Sequence, residues 1–224
     1  TRAVFGGGDQ NAGQTSLIAF REIASGGTVF KFGELTYAAN GHEKVSSSTR
    51  GIFAGGKAPS GPLCVTNMDF VTIASEGNGQ DFGDLTEGRR AISGNSNSTR
   101  GTFAGGTTAA SGAGVGNVNT IDYITIASTG NAQDFGDQYN DNGTGQGEQF
   151  GGTSNGTRAV WNGGYRSGTN INTISYNTIS SLGNALDFGD RTTGGFSLGA
   201  VNSTTRSIAA GGSNPGSINI IDFV

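Results

Sequence analysis

The run Thr99-Arg100-Gly101-Thr102-Phe103-Ala104-Gly105-Gly106 decides how this chain is read, because it is not alone. Thr-Arg followed within a few residues by paired glycine starts at Thr1, Thr49, Thr99, Thr157 and Thr205, at steps of 48, 50, 58 and 48 residues. An aromatic follows each run in the next apolar stretch: Phe20, Phe70, Tyr123, Tyr176 and Phe223. Aspartate precedes it at Asp69, Asp122 and Asp222. A third landmark, Asp-Phe-Gly-Asp, spans Asp81 to Asp84, Asp134 to Asp137 and Asp187 to Asp190, with the variant Lys31-Phe32-Gly33-Glu34 in the first unit. Three landmarks in fixed order at one spacing mark an internal repeat, and a repeat fixes architecture before any motif does.

Working outward from Thr99, each unit reads as four short strands. Residues 90–94 are expected as the first and 95–98 as a turn. Residues 99–104 are the second, closed by Gly105-Gly106; 121–127 are the third and 132–137 the fourth. β-Branched and aromatic residues fill the runs, and Gly, Asn and Ser punctuate them. No segment holds a 3.6-residue apolar period. Four strands in a unit of about 50 residues is the period of a β-propeller. The expected fold is therefore all-β, a single propeller domain over 1–224. Its units are 1–48, 49–98, 99–156, 157–204 and a partial 205–224, about five blades with incomplete terminal ones. One such sheet cannot offset its ordering entropy alone. Stacked blades cover both sheet faces, which is how the adjacent Val4 and Phe5 can both be apolar.

Composition agrees. Glycine supplies 42 of 224 residues and proline 3. No Gly-X-Y period runs through them, which excludes collagen, and interior glycines at about 1 kcal/mol each argue against a helical bundle. No apolar run approaches the length of a membrane-spanning helix. A formal charge of −4, with only three lysines, is no nucleic-acid footprint. Cys64 is the sole cysteine, so neither an internal disulfide nor a thiolate metal cluster can form. A mildly acidic surface rich in Asn, Ser and Thr suits an extracellular scaffold. A chain starting at Thr1 without Met or a signal-like leader is expected to be a piece of something longer.

Recurrence also sorts the motifs that look like chemistry. Asp-Phe-Gly is the magnesium triplet of protein kinases, but the glycine-rich loop, strand lysine and His-Arg-Asp are missing. A catalytic group is needed once; a structural group is needed once per blade. Arg2, Arg50, Arg100, Arg158 and Arg206 fill one repeat position, and Asp81, Asp84, Asp134, Asp137, Asp187 and Asp190 fill two others. These are expected to form Arg–Asp or Asp–backbone hydrogen bonds tying strands together within each blade. Calcium at the Asp-x-x-Asp turns is the alternative, but two carboxylates are few for a site needing about six to eight oxygens. His42 is the only histidine and has no nucleophile elbow around it. Cys64 is expected as a half-buried filler. Gly112-x-Gly114-x-Gly116 lacks the strand-to-helix setting of a phosphate loop. The Asn-x-Ser/Thr triplets at Asn97, Asn142, Asn155 and Asn202 are expected by composition.

The paired glycine after the second strand, an aromatic in the third and fourth strands and the arginine before the next unit together resemble the kelch repeat. Phe82, Phe135 and Phe188 stand where kelch usually has Trp. The wording Ser-Thr-Arg-Gly-Ile-Phe-Ala-Gly-Gly, Asp-Phe-Val-Thr-Ile-Ala-Ser and Gln-Asp-Phe-Gly-Asp-Leu-Thr is similar to kelch-like repeats in large virion proteins of marine tailed phages, cyanophages in particular. The resemblance covers nearly the whole chain. It implies a propeller on a phage particle, in a tail or fibre protein, located on the virion or outside the cell. Its partners would be other virion or extracellular assembly proteins and host surface glycan, with no nucleic acid and no membrane insertion. Copper-oxidase members of the kelch class resemble a site with two His ligands, and this chain has one.

What differs between units is where binding is expected. The loop between second and third strands varies: 9–15, 57–66, 107–119, 165–172 and 213–217, and 138–147 adds length before the fourth unit. Tyr165, Arg166, Asn170, Asn117 and Asn119 are the candidate ligand-binding residues. Trp161 takes the place of Phe5, Phe53 and Phe103 and is expected in the core. The expected function is non-enzymatic binding with no cofactor and no metal. The alternative is a purely architectural or decoration module without a ligand. An enzyme would have to use the loop residues of a single unit.

Overall fold

Each Thr-Arg run becomes the second strand of an antiparallel sheet, and its neighbours in sequence supply the rest. The computed structural model describes residues 2–10, 13–60, 64–109, 116–139 and 147–224. Blade one contains β1 (Arg2–Gly6), the hairpin β2 (Asp9–Gln10) and β3 (Gly13–Gln14), then β4 (Leu17–Glu22) and β5 (Phe30–Glu34). Blade two is β6 (Glu43–Ser46), β7 (Arg50–Ala54), β8 (Asn67–Thr72) and β9 (Gln80–Asp84). Blade three is β10 (Ser93–Ser96), β11 (Arg100–Ala104), β12 (Thr120–Thr125) and β13 (Gln133–Asp137). Blade four has β14 (Gly151–Ser154), β15 (Arg158–Asn162), the hairpin β16 (Tyr165–Arg166) and β17 (Thr169–Asn170), then β18 (Thr173–Thr178) and β19 (Leu186–Asp190). Blade five has β20 (Gly199–Asn202), β21 (Ser207–Ala210), the hairpin β22 (Ser213–Asn214) and β23 (Gly216–Ser217), and β24 (Ile221–Phe223). The five sheets of three, four, four, four and three strands run in simple up-and-down order and make a five-bladed β-propeller.

The innermost strands β6, β10, β14 and β20 stand side by side. Strands β6, β10 and β14, with Asn202 of β20, line a channel of about 250 Å³. Ser96 Oγ donates to Ser46 O at 2.9 Å there, and Asn202 Nδ2 bonds Ser154 O. The first strand lies later than expected: 93–96 rather than 90–94, with residues 95 and 96 inside it. The reason is Ala91, whose φ of 54° no strand accommodates. Equivalent positions repeat this left-handed backbone: Gly41 at 63°, Gln149 at 59° and Ser197 at 55°. Their peptides form a chain from blade to blade, Ala91 N to Gly41 O, Gln149 N to Ala91 O and Ser197 N to Gln149 O, at 2.9, 2.9 and 3.1 Å.

Apolar side chains fill the spaces between blades on both faces of the central sheets. Ile52, Phe53 and Ala54 are consecutive and all buried, as two covered faces require. Trp161 is in the core as expected, its indole N–H donating to Asn177 Oδ1 at 2.8 Å. The end blades differ. Phe5 is 54% exposed, whereas its interior equivalents Phe53 and Phe103 are buried, and Phe223 is 65% exposed, whereas its equivalents Phe70, Tyr123 and Tyr176 are half-buried. Val4 packs on blade one's cluster, so of the adjacent pair only one side is covered.

What recurs at the repeated arginines is a tie between blades, which corrects the expectation of an Arg–Asp clasp within each sheet; Arg2 in addition bonds Glu22 of its own sheet at 2.8 Å. Each guanidinium lies over the third-strand ring of its own blade: Arg2 on Phe20, Arg50 on Phe70, Arg100 on Tyr123, Arg158 on Tyr176 and Arg206 on Phe223, at 4.5–4.7 Å. Its Nη1 then reaches the turn of the following blade, from Arg2 to Ala74 O, Arg50 to Ile126 O and Ala127 O, and Arg100 to Ile179 O. The ring holds the flat cation, and the cation's own N–H groups remain for carbonyls.

The Asp-Phe-Gly-Asp motif serves the same junction. Asp81, Asp134 and Asp187 accept the N–H of Gly83, Gly136 and Gly189 two residues on, at 3.0–3.1 Å. This shapes a bulge opposite the third strand. Gly83 has φ 137°, and a Cβ there would sit 2.5 Å from Gly130 O of the next blade, so only glycine fits. The outer carbonyls accept from that blade's turn: Gly130 N to Phe82 O and Ala132 N to Asp84 O, with the same pair at Gly183 and Ala185 on Phe135 and Asp137. Asp84 also accepts the Thr66 hydroxyl at 2.7 Å.

The third-strand aspartates complete the clasp. Asp69 accepts both the N–H and the hydroxyl of Thr36 from the preceding blade, Asp122 those of Thr86, and Asp222 those of Thr192. Burial still raises the Asp69 carboxyl above its usual range, with the Thr36 bonds acting against it. Arg89 adds a fully buried ion pair to Asp122 at 2.7 Å and also donates to Gly105 O and Thr120 O at 2.9 and 2.8 Å. In blade two the corresponding carbonyls, Gly55 O and Asn67 O, are met by the Tyr37 hydroxyl, which burial drives far above the ordinary phenol range.

Candidate ligand-binding face

The paired glycine aims the variable loops. Its first N–H returns to the blade's own third strand, as Gly55 to Asn67 O and Gly163 to Thr173 O. Its second bonds a linker between blades, as Gly56 to Arg89 O and Gly164 to Gly195 O. The residue after the pair forms a bridge with the linker entering its blade: Asn40 with Lys57, Arg90 with Thr107, Glu148 with Tyr165, Phe196 with Ser213. Each variable loop therefore starts from a backbone position held on two sides. Those of blades one, four and five fold into the two-stranded hairpins β2–β3, β16–β17 and β22–β23.

Three of the expected binding residues share the blade-four hairpin. Tyr165 pairs with Asn170 across it, and Arg166 with Thr169. The Tyr165 ring stands edge-on to Phe196 at 5.1 Å, and its backbone exchanges two 3.0 Å bonds with Glu148. Asn170 Nδ2 donates to Asn214 Oδ1 at 2.6 Å, and Asn214 Nδ2 to Gly194 O at 2.8 Å, so the hairpins of blades four and five are joined by an amide pair. Tyr165, Arg166 and Asn170 are all half-buried.

Asn119 and Asn117 belong to blade three's loop, one linker away: Gly147 N donates to Val118 O, while Glu148 beside it pairs with Tyr165. Asn119 is half-buried and its carbonyl accepts from Gln138 N at 2.7 Å. Asn117 is a correction. It bridges Thr107, which turns its amide inward at 4% exposure, so its side chain is not offered to solvent. Loop residues 110–115 and 140–146, with Gly112, Gly114 and Asn142, lie outside the described residues.

The sequence reading passed over Phe196 and Asn214. Phe196 is an aromatic at none of the repeat landmarks, placed after Gly194-Gly195 in a linker, and that displacement was the available signal.

The histidine and the cysteine lie elsewhere. His42 is buried beside Phe53, its Nε2 2.7 Å from Gly6 O, and desolvation pushes its pKa down to about 4, so the imidazole is neutral at pH 7. Burial raises the Cys64 thiol, which is half-buried as expected with Sγ 3.4 Å from Thr107 O. Among the described residues no three His, Cys, Asp or Glu side chains come together as a metal cluster. What the face offers is a ring edge, a guanidinium, amides and hydroxyls on a rigid base, suited to binding a polar ligand that has apolar faces.

No protein-family model matches the chain, and no curated protein matches it.

Proposed function

We propose that this chain is a non-enzymatic binding and structural module of a phage virion, a kelch-like propeller of a tail or fibre protein that recognises host surface glycan through its variable loops. The observation that carries the reading is the division of labour along the chain. Residues that recur hold blade to blade, whereas residues that differ form loops started from anchored backbone, three of them hairpins. A preorganised loop loses little entropy on binding, and that favours a recognition role. Tyr165 with Phe196 supplies aromatic surface for a sugar's apolar face, and Arg166, Asn170 and Asn214 supply polar groups beside it. The virion setting rests on the repeat wording. Purely architectural decoration is the second reading, favoured by the apolar end faces at Phe5 and Phe223.

A glycan microarray probed with the protein and with Tyr165→Ala tests this. Recognition predicts a restricted set of retained glycans, lost in the variant while Tm is unchanged. Absence of retained glycan, or equal retention by Tyr165→Ala, contradicts it. Antibody-gold labelling of intact particles tests the setting: label at tail or fibre tips agrees, label spread over the capsid favours decoration, and unlabelled particles contradict a virion protein.

A further inference from the structure

Five asparagines in the chain are followed by glycine: Asn40, Asn78, Asn142, Asn155 and Asn162. Glycine leaves the next peptide nitrogen unshielded, because no Cβ stands beside it. That nitrogen can attack the asparagine's own side-chain amide, and the fold decides which pair is free to react. Asn142 lies outside the described residues. Asn78 Oδ1 accepts from Glu34 N at 3.1 Å and Gly79 N donates to Glu34 O at 2.8 Å, so both reacting groups are held. Asn162 is buried, with its Nδ2 on Gly151 O and Gly163 N on Thr173 O, each at 3.0 Å. Asn40 is pinned by two 2.9 Å bonds from its Nδ2 to Asp9 and by its backbone bridge to Lys57.

Asn155 is held differently. It caps the turn between the first and second strands of blade four, as Ser47, Asn97 and Ser203 cap the equivalent turns. Its Oδ1 accepts Thr157 N at 3.0 Å and Arg158 N at 2.8 Å, and among the described residues no protein group bonds its Nδ2. Gly156 N meets only the hydroxyl of the neighbouring Ser154, at 3.0 Å. Both Asn155 and Gly156 are exposed, as the same turn tip is in blades two and three at Ser48-Thr49 and Ser98-Thr99. Glycine follows the cap in blade four alone; Ser48, Ser98 and Thr204 stand there in blades two, three and five. Gly156 has φ 87°, a left-handed backbone that those three residues do not adopt.

We infer that Asn155 is a modification site, where the side-chain amide cyclises on Gly156 and opens to aspartate and isoaspartate. The Gly156 nitrogen, having given its proton to solvent, forms a bond to Asn155 Cγ. The Cγ–Nδ2 bond breaks, and Nδ2 takes a proton from solvent and leaves as ammonia, which gives a succinimide. Water then adds to either ring carbonyl and opens the ring, so that overall NH is exchanged for O. Negative charge grows on Oδ1 as the nitrogen attacks, and the N–H groups of Thr157 and Arg158 already point at that atom, as oxyanion donors do. Asn97 has the same donors on its Oδ1, from Thr99 and Arg100, but Ser98 in place of the glycine. Aspartate at 155 keeps the cap, because its carboxylate accepts the same two bonds. Isoaspartate routes the main chain through Cγ, which lengthens the turn by one methylene and takes the acceptor away.

The test incubates the intact folded protein in mildly alkaline buffer and maps it by peptide mass spectrometry, with methyl transfer by isoaspartyl methyltransferase as the second readout. A synthetic peptide of residues 152–159, treated in parallel, sets the incubation time. Exchange of NH for O is expected at Asn155 while Asn40, Asn78 and Asn162 keep their amides, and methyl transfer is expected to the fragment that contains residue 155. Gly156→Ser should abolish both signals. Ser98→Gly, which places glycine after the equivalent cap in blade three, should make Asn97 a second site, and this gain is readable even where Gly156→Ser fails to fold. An Asn155 amide that survives in the protein after the peptide has converted overturns the inference. So does conversion of Asn40, Asn78 or Asn162 ahead of it, or an Asn97 left unmodified in Ser98→Gly. Glycan recognition at the Tyr165 hairpin stands or falls separately.

Discussion

Replacing Arg89 by Met removes one charge from the most buried polar junction in the chain. The guanidinium is 0% exposed and holds Asp122 at 2.7 Å together with Gly105 O and Thr120 O. Methionine keeps most of the apolar stem, so the cavity term is small. The loss is electrostatic. Asp122, itself 0% exposed, would keep only the two bonds from Thr86. Removing one partner of a buried pair costs about 3–5 kcal/mol. For a chain of this size that lowers Tm by roughly 10 °C.

One control separates charge from packing. Asp122→Asn added to Arg89→Met removes the stranded carboxylate, so the double variant should regain at least about 1 kcal/mol over additivity. Urea denaturation of the four proteins of the cycle at neutral pH supplies this. A cost below about 1 kcal/mol, or additivity within about 0.5 kcal/mol, would refute the reasoning.

Three further outcomes follow from the same geometry. Arg100→Ala should cost about 1–2 kcal/mol more than Arg158→Ala in thermal or urea denaturation, since both lose a stacked ring but only Arg100 loses a carbonyl on the next blade. Gly83→Ala and Gly189→Ala both place a side chain at φ near 137°, but only Gly83→Ala collides with Gly130 O. It should be the worse by about 1–3 kcal/mol in the same assay. For His42, the folded pKa of about 4 lies below the ordinary 6.5, so the unfolded chain binds the extra proton between those values and stability falls with pH across that window. The wild-type advantage over His42→Gln should shrink by up to about 3 kcal/mol from pH 7 to pH 4, with Glu43 and Asp69 titrating in both proteins and cancelling.

Much of the fold was legible because each blade repeats its own solution. The Thr-Arg, aromatic and Asp-Phe-Gly-Asp spacings placed the second, third and fourth strands to within two residues. Residues 90–92 went astray because a left-handed Ala91 carries no sequence signal, the bond to Gly41 O being made by its backbone. The direction of the arginine clasp was hidden for a related reason. Its acceptors are main-chain carbonyls a blade away, and periodicity reports that a contact recurs without reporting with whom. Variable loops were recognised by their variation, which locates Tyr165 and Asn170. The pairing of Asn170 with Asn214, 44 residues on, exists only once blades four and five are side by side. Asn117 failed as a surface residue because a bridge to Thr107 turned a polar amide inward.

The claim that repeated residues hold the propeller while differing residues bind ligand is tested most directly by measuring Tm and retention of an array-identified glycan together. Alanine variants at Arg50, Arg100 and Asp69 are compared with others at Tyr165, Arg166, Asn170 and Asn119. The account predicts that the first set lowers Tm and leaves retention by the folded protein unchanged, while in the second set loss of retention comes without loss of Tm. Retention that survives every substitution in the second set, or that is lost only in step with Tm, would contradict it.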